Sequence, residues 1–239
     1  MSIDSVEIFG SSGYLGSFIS SRFPEWYLPS RQDLPSRKYS LDCSFPKNYL
    51  DDKVFMDFKL LLMRRVKHCN LLGSKYVYIG SISSKPPIVS KYGRRKMEIE
   101  SIVIQNGQIV VNLGLVISDL NPGGRYLSLR KTIEKLPIVP TPHEDTFELY
   151  CHQLEELSQI DSFISGIQGG RQYLFDNLIR SNLGSVASRI AKDFGKKEIK
   201  LSKTISRALE LLMANSPTSA LDSLKSLTVK RRMDYLDQS

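Results

Sequence analysis

Apolar and polar positions along this chain alternate between two rhythms, one of strands and one of helices. Residues 5–9 (Ser-Val-Glu-Ile-Phe) alternate and stop at Gly10, which predicts a short strand closed by a glycine turn. Leu15, Phe18, Ile19 and Phe23 then recur at helical spacing until Pro24 ends the run. The first unit therefore reads strand, glycine loop, helix. Trp26-Tyr-Leu28 predicts a second strand, closed by Pro29-Ser30-Arg31. Residues 38–43 predict a third strand, and the short polar stretch 32–36 leaves no room for a helix between the two. From 51 to 72, Val54, Phe58, Leu61, Leu62, Val66 and Cys69 keep a helical rhythm, with Gly73 placed to stop it.

The next segments repeat the alternation. Tyr76-Val-Tyr-Ile79 predicts a strand ending at Gly80-Ser81, and a loop with Pro86-Pro87 follows. A helix over 90–105 stops at Asn106-Gly107, and Ile109-Val-Val-Asn-Leu113 predicts another strand. Strands alternating with helices imply an α/β fold with a Rossmann-like, doubly wound, mostly parallel sheet, here without the helix between its second and third strands. After Asn121-Pro-Gly-Gly124 the pattern changes. Helices are predicted over 127–136, 154–164, 185–194 and 205–214, with extended segments over 137–142, 173–177 and 198–201. The organisation expected is a Rossmann-like core over 1–118 and a small C-terminal α/β part over 119–239, intertwined with the core and shaped to bind a substrate.

Composition narrows the class. The 239 residues are 41% hydrophobic and 24% charged, as in ordinary globular proteins. No apolar run is long enough to span a membrane, and the N-terminus does not read as a secretory signal. Cys43, Cys69 and Cys151 are scattered and odd in number, which argues against a disulfide framework or a zinc site and fits a reducing cytoplasm. The formal net charge of +8 favours anionic partners. Its basic clusters are short and are not interleaved with aromatics, so phosphate-bearing small molecules fit them better than a nucleic-acid groove.

Two motifs carry candidate chemistry. Gly10-Ser11-Ser12-Gly13-Tyr14-Leu15-Gly16 follows a predicted strand and opens a helix. In dinucleotide binding, one such glycine makes the tight turn, one lets the backbone approach a pyrophosphate, and one lets helix pack on strand. The helix N-terminus adds unpaired N–H groups and partial positive charge. Arg31 follows the second strand, where the adenosine ribose of a dinucleotide would lie. An arginine there pairs with a 2′-phosphate, with Ser30 as a further donor, which points to NADP, with NAD as the alternative.

The second motif is Tyr92-Gly-Arg-Arg-Lys96, whose tyrosine and lysine share a helical face. An ammonium held near a phenol favours the phenolate and makes tyrosine a usable acid or base near neutral pH. Ser81, at the end of the preceding strand, is placed to hydrogen-bond the same substrate oxygen, with Ser83 and Ser84 as neighbours.

Taken together, these residues resemble the extended short-chain dehydrogenase/reductase family, the NAD(P)-dependent epimerases and dehydratases of nucleotide sugars, and leave open epimerisation, dehydration or reduction. Gly10, Gly13 and Gly16 match its cofactor loop, and Tyr76-Val-Tyr-Ile-Gly-Ser81 its strand with the catalytic serine. Tyr92-Gly-Arg-Arg-Lys96-Met-Glu-Ile-Glu100 matches its Tyr-Gly-x-x-Lys helix. Asn112-Leu-Gly-Leu-Val-Ile117, Leu136-Pro-Ile-Val-Pro140 and His152-Gln-Leu-Glu-Glu-Leu157 resemble its later motifs. The resemblance implies Tyr92 as acid/base, Lys96 on the nicotinamide ribose, and Ser81 on the substrate oxygen. It implies Asn112 on the substrate side, where Ser83 is also expected. Arg125, after Gly123-Gly124, is placed either to meet a substrate diphosphate, since a guanidinium matches phosphate bidentately, or as a loop-surface residue. The resemblance also implies a role in surface-polysaccharide synthesis and a homodimer formed through the Tyr92 helix and a neighbouring one. The chain departs from the family in lacking the early helix. Cys43-Ser-Phe-Pro46 stands where the family has an acidic residue and an Ala-rich turn, and Asn112-Leu113 where it has Arg-Pro. These departures keep a second reading open: a catalytically degenerate dinucleotide sensor or scaffold. His143, Glu144 and Asp145 lack the spacing of a closed metal site, and no metal is expected.

Overall fold

The computed structural model describes residues 6–215, apart from 23, 25–26, 31, 86–89, 121, 160–171 and 175–177. Its centre is a six-stranded parallel sheet in the order β2-β1-β3-β4-β5-β9. The strands are β1 (Val6–Phe9), β2 (Tyr27–Pro29), β3 (Tyr39–Asp42), β4 (Lys75–Ser81), β5 (Ile109–Leu113) and β9 (Gln172–Leu174). Helix α1 (Tyr14–Arg22) follows β1, α2 (Asp52–Leu72) follows β3, and α3 (Lys91–Gln105) follows β4.

The helices cover opposite faces, which is why the central strands are apolar at nearly every position. On one face Ile19 of α1 packs with Val6, Ile8, Leu41, Val77, Ile79 and Val111. On the other, Phe55, Leu62 and Val66 of α2 and Ile99 and Val103 of α3 pack with Phe9, Tyr76, Tyr78 and Val110. Helix ends follow local chemistry. Asp51 caps α2 by accepting the Lys53 and Val54 N–H groups, and Gly73 ends it in the left-handed region at φ 64°. Ser90 caps α3 by accepting the Gly93 N–H at 2.9 Å.

The shortened link between β2 and β3 has a larger consequence than a missing helix. In the common doubly wound arrangement, the second and third strands lie successively outward on one side of the first, and the fourth lies on its other side. Here β3 pairs with β1 on the side away from β2. The strand counted third in the sequence thus occupies the fourth place, and the outermost strand is lost along with its helix. Among the described residues, nothing flanks β2 on its outer edge in the sheet.

The rest of the chain forms a second set of layers. Strands β6 (Leu115–Ile117), β8 (Glu148–Gln153) and β10 (Ile179–Asn182) make a three-stranded sheet in the order β10-β8-β6. Strands β7 (Ile138–Thr141) and β11 (Lys197–Lys200) pair in parallel. Helices α4 (Gly124–Lys135) and α5 (Leu183–Asp193) enclose a core with Tyr126, Ile133, Leu149, Val186 and Ile190, and α6 (Lys203–Asn215) follows. The sequence reading missed β6, β8 and β10. It also expected a helix over 154–164, where the structure has a 3-10 helix over Leu154–Gln159, residues 160–164 lying outside the described ones. The apolar positions Leu149, Cys151, Leu154 and Leu157 follow neither rhythm cleanly, because a strand buried on both faces runs directly into the 3-10 helix. No described helix is long and apolar enough to cross a membrane.

Candidate functional site

Adjacent strands β1 and β3 send their helices to opposite faces of the sheet, so a crevice opens beyond their carboxyl ends. Open α/β sheets bind ligands at such a switch point. The glycine loop lies there, and three contacts explain its composition. Gly10 takes φ 73°, and a Cβ on it would sit 2.7 Å from the Ser44 nitrogen. A Cβ on Gly16 would overlap the Gly10 carbonyl oxygen. Gly13 donates its N–H to Gly10 O at 2.9 Å and accepts the first intrahelical bond, from Ser17 N–H, at 2.8 Å. The first-turn amides of α1 therefore remain at the helix N-terminus, an anion-receptive end.

A cleft of about 330 Å³ extends from this loop across the ends of β4 and β5. Gly13, Tyr14 and Leu15 line it, while Gly10 and Gly16 pack behind them; Ser11 is half-buried and Ser12 exposed at the loop. Ser81, Ser83, Tyr92, Lys96 and Arg125 also line the cleft, with Phe45, Lys47 and Tyr150. The structure thus brings together the serine, the tyrosine and the lysine, which come from β4 and α3. Among the described residues, the lining includes three cationic side chains, Lys47, Lys96 and Arg125, and no carboxylate.

Ser81 ends β4 and accepts the Ser83 N–H on its Oγ at 3.2 Å, starting a 3-10 turn over Ile82–Ser84. That turn is fixed from below by Glu100 of α3. Its carboxylate accepts the Ser81 N–H at 2.9 Å, the Ser84 hydroxyl at 2.6 Å and the Asn112 amide at 3.0 Å. Burial pushes the Glu100 carboxyl up from its ordinary value, opposed by these donors and by nearby Lys85. Gly80 makes room for it, since a Cβ there would lie 2.5 Å from Asn112 Nδ2 and 2.7 Å from Glu100 Oε1. Asn112 is 1% exposed and is committed to Glu100. The resemblance implied a place for it against substrate; the structure puts it beneath the serine turn instead.

Tyr92 is half-buried in an aromatic corner. Its ring meets Phe45 edge-on at 5.2 Å and Tyr49 at 5.4 Å, and the Arg125 guanidinium lies 3.4 Å from its centroid. Arg125 reaches it from the first turn of α4. That turn is seated against the glycine loop, because a Cβ on Gly123 would overlap the Tyr14 ring. Burial, with Glu155 and Tyr126 nearby, pushes the Tyr14 phenol up to about 12, against a hydrogen bond with the Gly123 backbone. Lys96, only 5% exposed, donates to Tyr78 Oη at 2.8 Å and to Ile79 O at 3.0 Å. Its ammonium lies 4.5 Å from the Phe45 centroid and 4.6 Å from that of Tyr78.

On the opposite side of the glycine loop, Ser30 Oγ is held by Glu7 at 2.7 Å, and the same carboxylate accepts the Ser36 N–H at 2.8 Å. The hydroxyl assigned to a 2′-phosphate from sequence is thus engaged with Glu7, and Arg31 lies outside the described residues. His143 accepts the Asp145 N–H and donates its own backbone N–H to Ser206 Oγ at 2.9 Å, while Asp145 pairs with Lys203. Among the described residues no cluster of His, Cys, Asp and Glu is arranged to hold a metal ion.

Sequence reasoning missed Phe45, Tyr49, Tyr78 and Lys47. Tyr78 had a legible signal, since alternation along β4 puts it on the Tyr76 face, toward α3. Phe45 and Lys47 follow β3 in an irregular segment, so nothing in their spacing marked them.

No family model and no curated protein matches the sequence. Solved structures match the fold along its length. A dTDP-4-dehydrorhamnose reductase from Bacillus anthracis, solved in complex with NADP, aligns with a TM-score of 0.66 at 14% identity, covering 99% of this chain and 100% of that one. The chain carries the extended short-chain dehydrogenase/reductase fold. A dTDP-4-dehydrorhamnose reductase from Yersinia enterocolitica aligns with a TM-score of 0.65 at 13% identity over 84% of this chain and 85% of that one. A GDP-mannoheptose C4 reductase from Campylobacter jejuni, with NADP bound, gives 0.59 at 13% identity over the full length of both chains.

Proposed function

We propose that this chain binds NADP(H), or NAD(H), in the crevice beyond β1 and β3 and reduces a carbonyl of a nucleotide sugar in the cleft beside it. The observation that carries the reading is the convergence of Ser81, Tyr92 and Lys96 on one cleft whose charged lining, among the described residues, is cationic. The donor set suits a dinucleotide: Gly13 and the first turn of α1 would hold its phosphates, and Lys96 would hold the nicotinamide ribose. When bound, the nicotinamide would supply the hydride.

The residues of the chain do the rest. Tyr92 Oη delivers the proton to the carbonyl oxygen as charge develops on it. The Ser81 hydroxyl, held on its turn by Glu100, donates to the same oxygen and stabilises that charge. Lys47 and Arg125 at the cleft receive the substrate diphosphate, a role that guanidinium geometry suits. Reduction is favoured over epimerisation or dehydration because the NADP-bound structures sharing this fold include nucleotide-sugar reductases. A cytoplasmic place in surface-polysaccharide synthesis accords with such a substrate, and no nucleic acid is required as a partner. A homodimer formed through α2 and α3 would cover Met56 and Leu60 on α2 and Met97 on α3, which are exposed.

The test is turnover. Purified protein is incubated with NADPH and a panel of nucleotide 4-keto sugars, and oxidation of the nicotinamide is followed by absorbance. Oxidation with at least one of them is the expected result. Binding of NADPH without turnover of any member favours the second reading, a sensor or scaffold, which the loss of the outer strand beyond β2 supports.

A further inference from the structure

We infer that Tyr78 is a positioning residue for Lys96, setting the ammonium to receive the paired hydroxyls of a ribose in the cleft. The inference rests on the dinucleotide reading and adds to it a residue outside the serine, tyrosine and lysine.

An ammonium has three N–H donors and no acceptor. Lys96 directs one to Tyr78 Oη at 2.8 Å and one to Ile79 O at 3.0 Å. Both acceptors belong to β4, at neighbouring positions of one strand, so they hold the nitrogen from the sheet side. The third N–H is left for the cleft, which Lys96 lines. The Phe45 and Tyr78 rings pack beside the ammonium and limit its sideways movement. A lysine side chain has four flexible torsions, and holding its head at a fixed point costs rotamer entropy that a preorganised slot has already met.

Tyr78 is suited to accept rather than to titrate. It is fully buried, and burial, with Asp42 next in effect, pushes its phenol well above the ordinary value, so it stays neutral. Its strand neighbour Tyr76 faces the same way but serves Asp42 instead, by a hydrogen bond from its hydroxyl. Two tyrosines on one face of β4 thus hold two different charges: Tyr76 the carboxylate at the end of β3, Tyr78 the ammonium at the cleft.

A ribose is the ligand class this head fits. Its vicinal hydroxyls lie close enough to share the one remaining N–H in a three-centre bond, and they lie at the far end of a dinucleotide from the adenosine. Losing Tyr78 Oη would therefore weaken recognition of that end alone.

The experiment uses the full chain with Tyr78→Phe, which keeps the ring and removes only the oxygen. Two probes are titrated by calorimetry: NADPH, and adenosine 2′,5′-bisphosphate, which lacks the nicotinamide ribose. Tyr78→Phe is expected to raise the Kd for NADPH by about tenfold, the scale of a charge-assisted hydrogen bond, and to leave the bisphosphate Kd unchanged. In a Lys96→Met background the same replacement is expected to have no further effect on NADPH. Unchanged NADPH affinity, an equal loss for both probes, or an undiminished effect without Lys96 would each overturn the inference. Failure of the wild-type chain to bind either probe overturns the dinucleotide reading, and the role of Tyr78 with it.

Discussion

Tyr92→Phe is expected to lower turnover by about two to four orders of magnitude, the range of a positioned general acid, while leaving NADPH affinity within about twofold of wild type, well inside a tenfold step. The separation follows from where the atoms lie. The ring of Tyr92 holds the aromatic corner with Phe45 and Tyr49 and carries the Arg125 guanidinium at 3.4 Å. Phenylalanine keeps all three contacts, so the fold and the cleft shape persist. Only the hydroxyl is lost, and with it the proton source for the carbonyl oxygen. Lys96 is held by its bonds to Tyr78 and Ile79, so its place in the cleft does not depend on that hydroxyl. Steady-state kinetics at saturating NADPH measure the first quantity and calorimetry the second. Turnover within about threefold of wild type, less than 1 kcal/mol in the barrier, would remove Tyr92 from the chemistry.

The largest expected effect on stability lies away from the cleft, at Arg65. Its guanidinium crosses the Phe9 ring at 4.0 Å to reach Asp42 at 2.8 Å and donates through Nε to Asp33 O at 2.9 Å. Asp42 is 0% exposed and also accepts the Ser44 N–H at 2.7 Å and the Tyr76 hydroxyl. This cluster fastens the short link between β2 and β3 and fixes Ser44, whose backbone abuts Gly10 of the phosphate loop. Arg65→Met keeps the apolar stem but leaves a buried carboxylate without its cation. Breaking one side of such a pair costs about 3–5 kcal/mol, read as a lower urea midpoint with an unchanged slope. Asp42→Asn combined with Arg65→Met is expected to recover part of the loss, because no buried charge is then left unpaired. A loss below about 1 kcal/mol, the scale of a surface pair, would show that the cluster does not hold the link.

The first half of the fold was legible in the sequence for identifiable reasons. Gly10, Gly73 and Asn106-Gly107 punctuate the rhythm, Asp51 and Ser90 cap the helices, and Tyr92 and Lys96 sit on one turn of a well-signalled helix. What stayed hidden depended on pairing between distant segments. The missing helix was legible in the short link, but not the lost strand, because strand order is fixed by which neighbour β3 joins. Arg65 stands beside Arg64 and Lys67 in a short basic run that nothing in the sequence marks as buried, yet it is 7% exposed and reaches across to β3. The resemblance alone places Asn112 on the substrate side, and spacing could not reveal that the Glu100 carboxylate beneath the serine turn takes its amide. Strands β8 and β10 are antiparallel partners far apart in sequence, and Glu148, Tyr150 and His152 mask the apolar alternation of β8.

Whether the crevice, trimmed of its outer strand, holds a dinucleotide is the question on which the account stands. Calorimetric titration of NADPH and NADH into the full wild-type chain, repeated with Gly13→Glu, answers it most directly. A dinucleotide site in the crevice requires one-site binding of at least one of the two, tighter for NADPH, and its loss when a carboxylate is placed at the mouth of the α1 N-terminus. Absence of binding by both nucleotides, or binding that Gly13→Glu leaves intact, would contradict it.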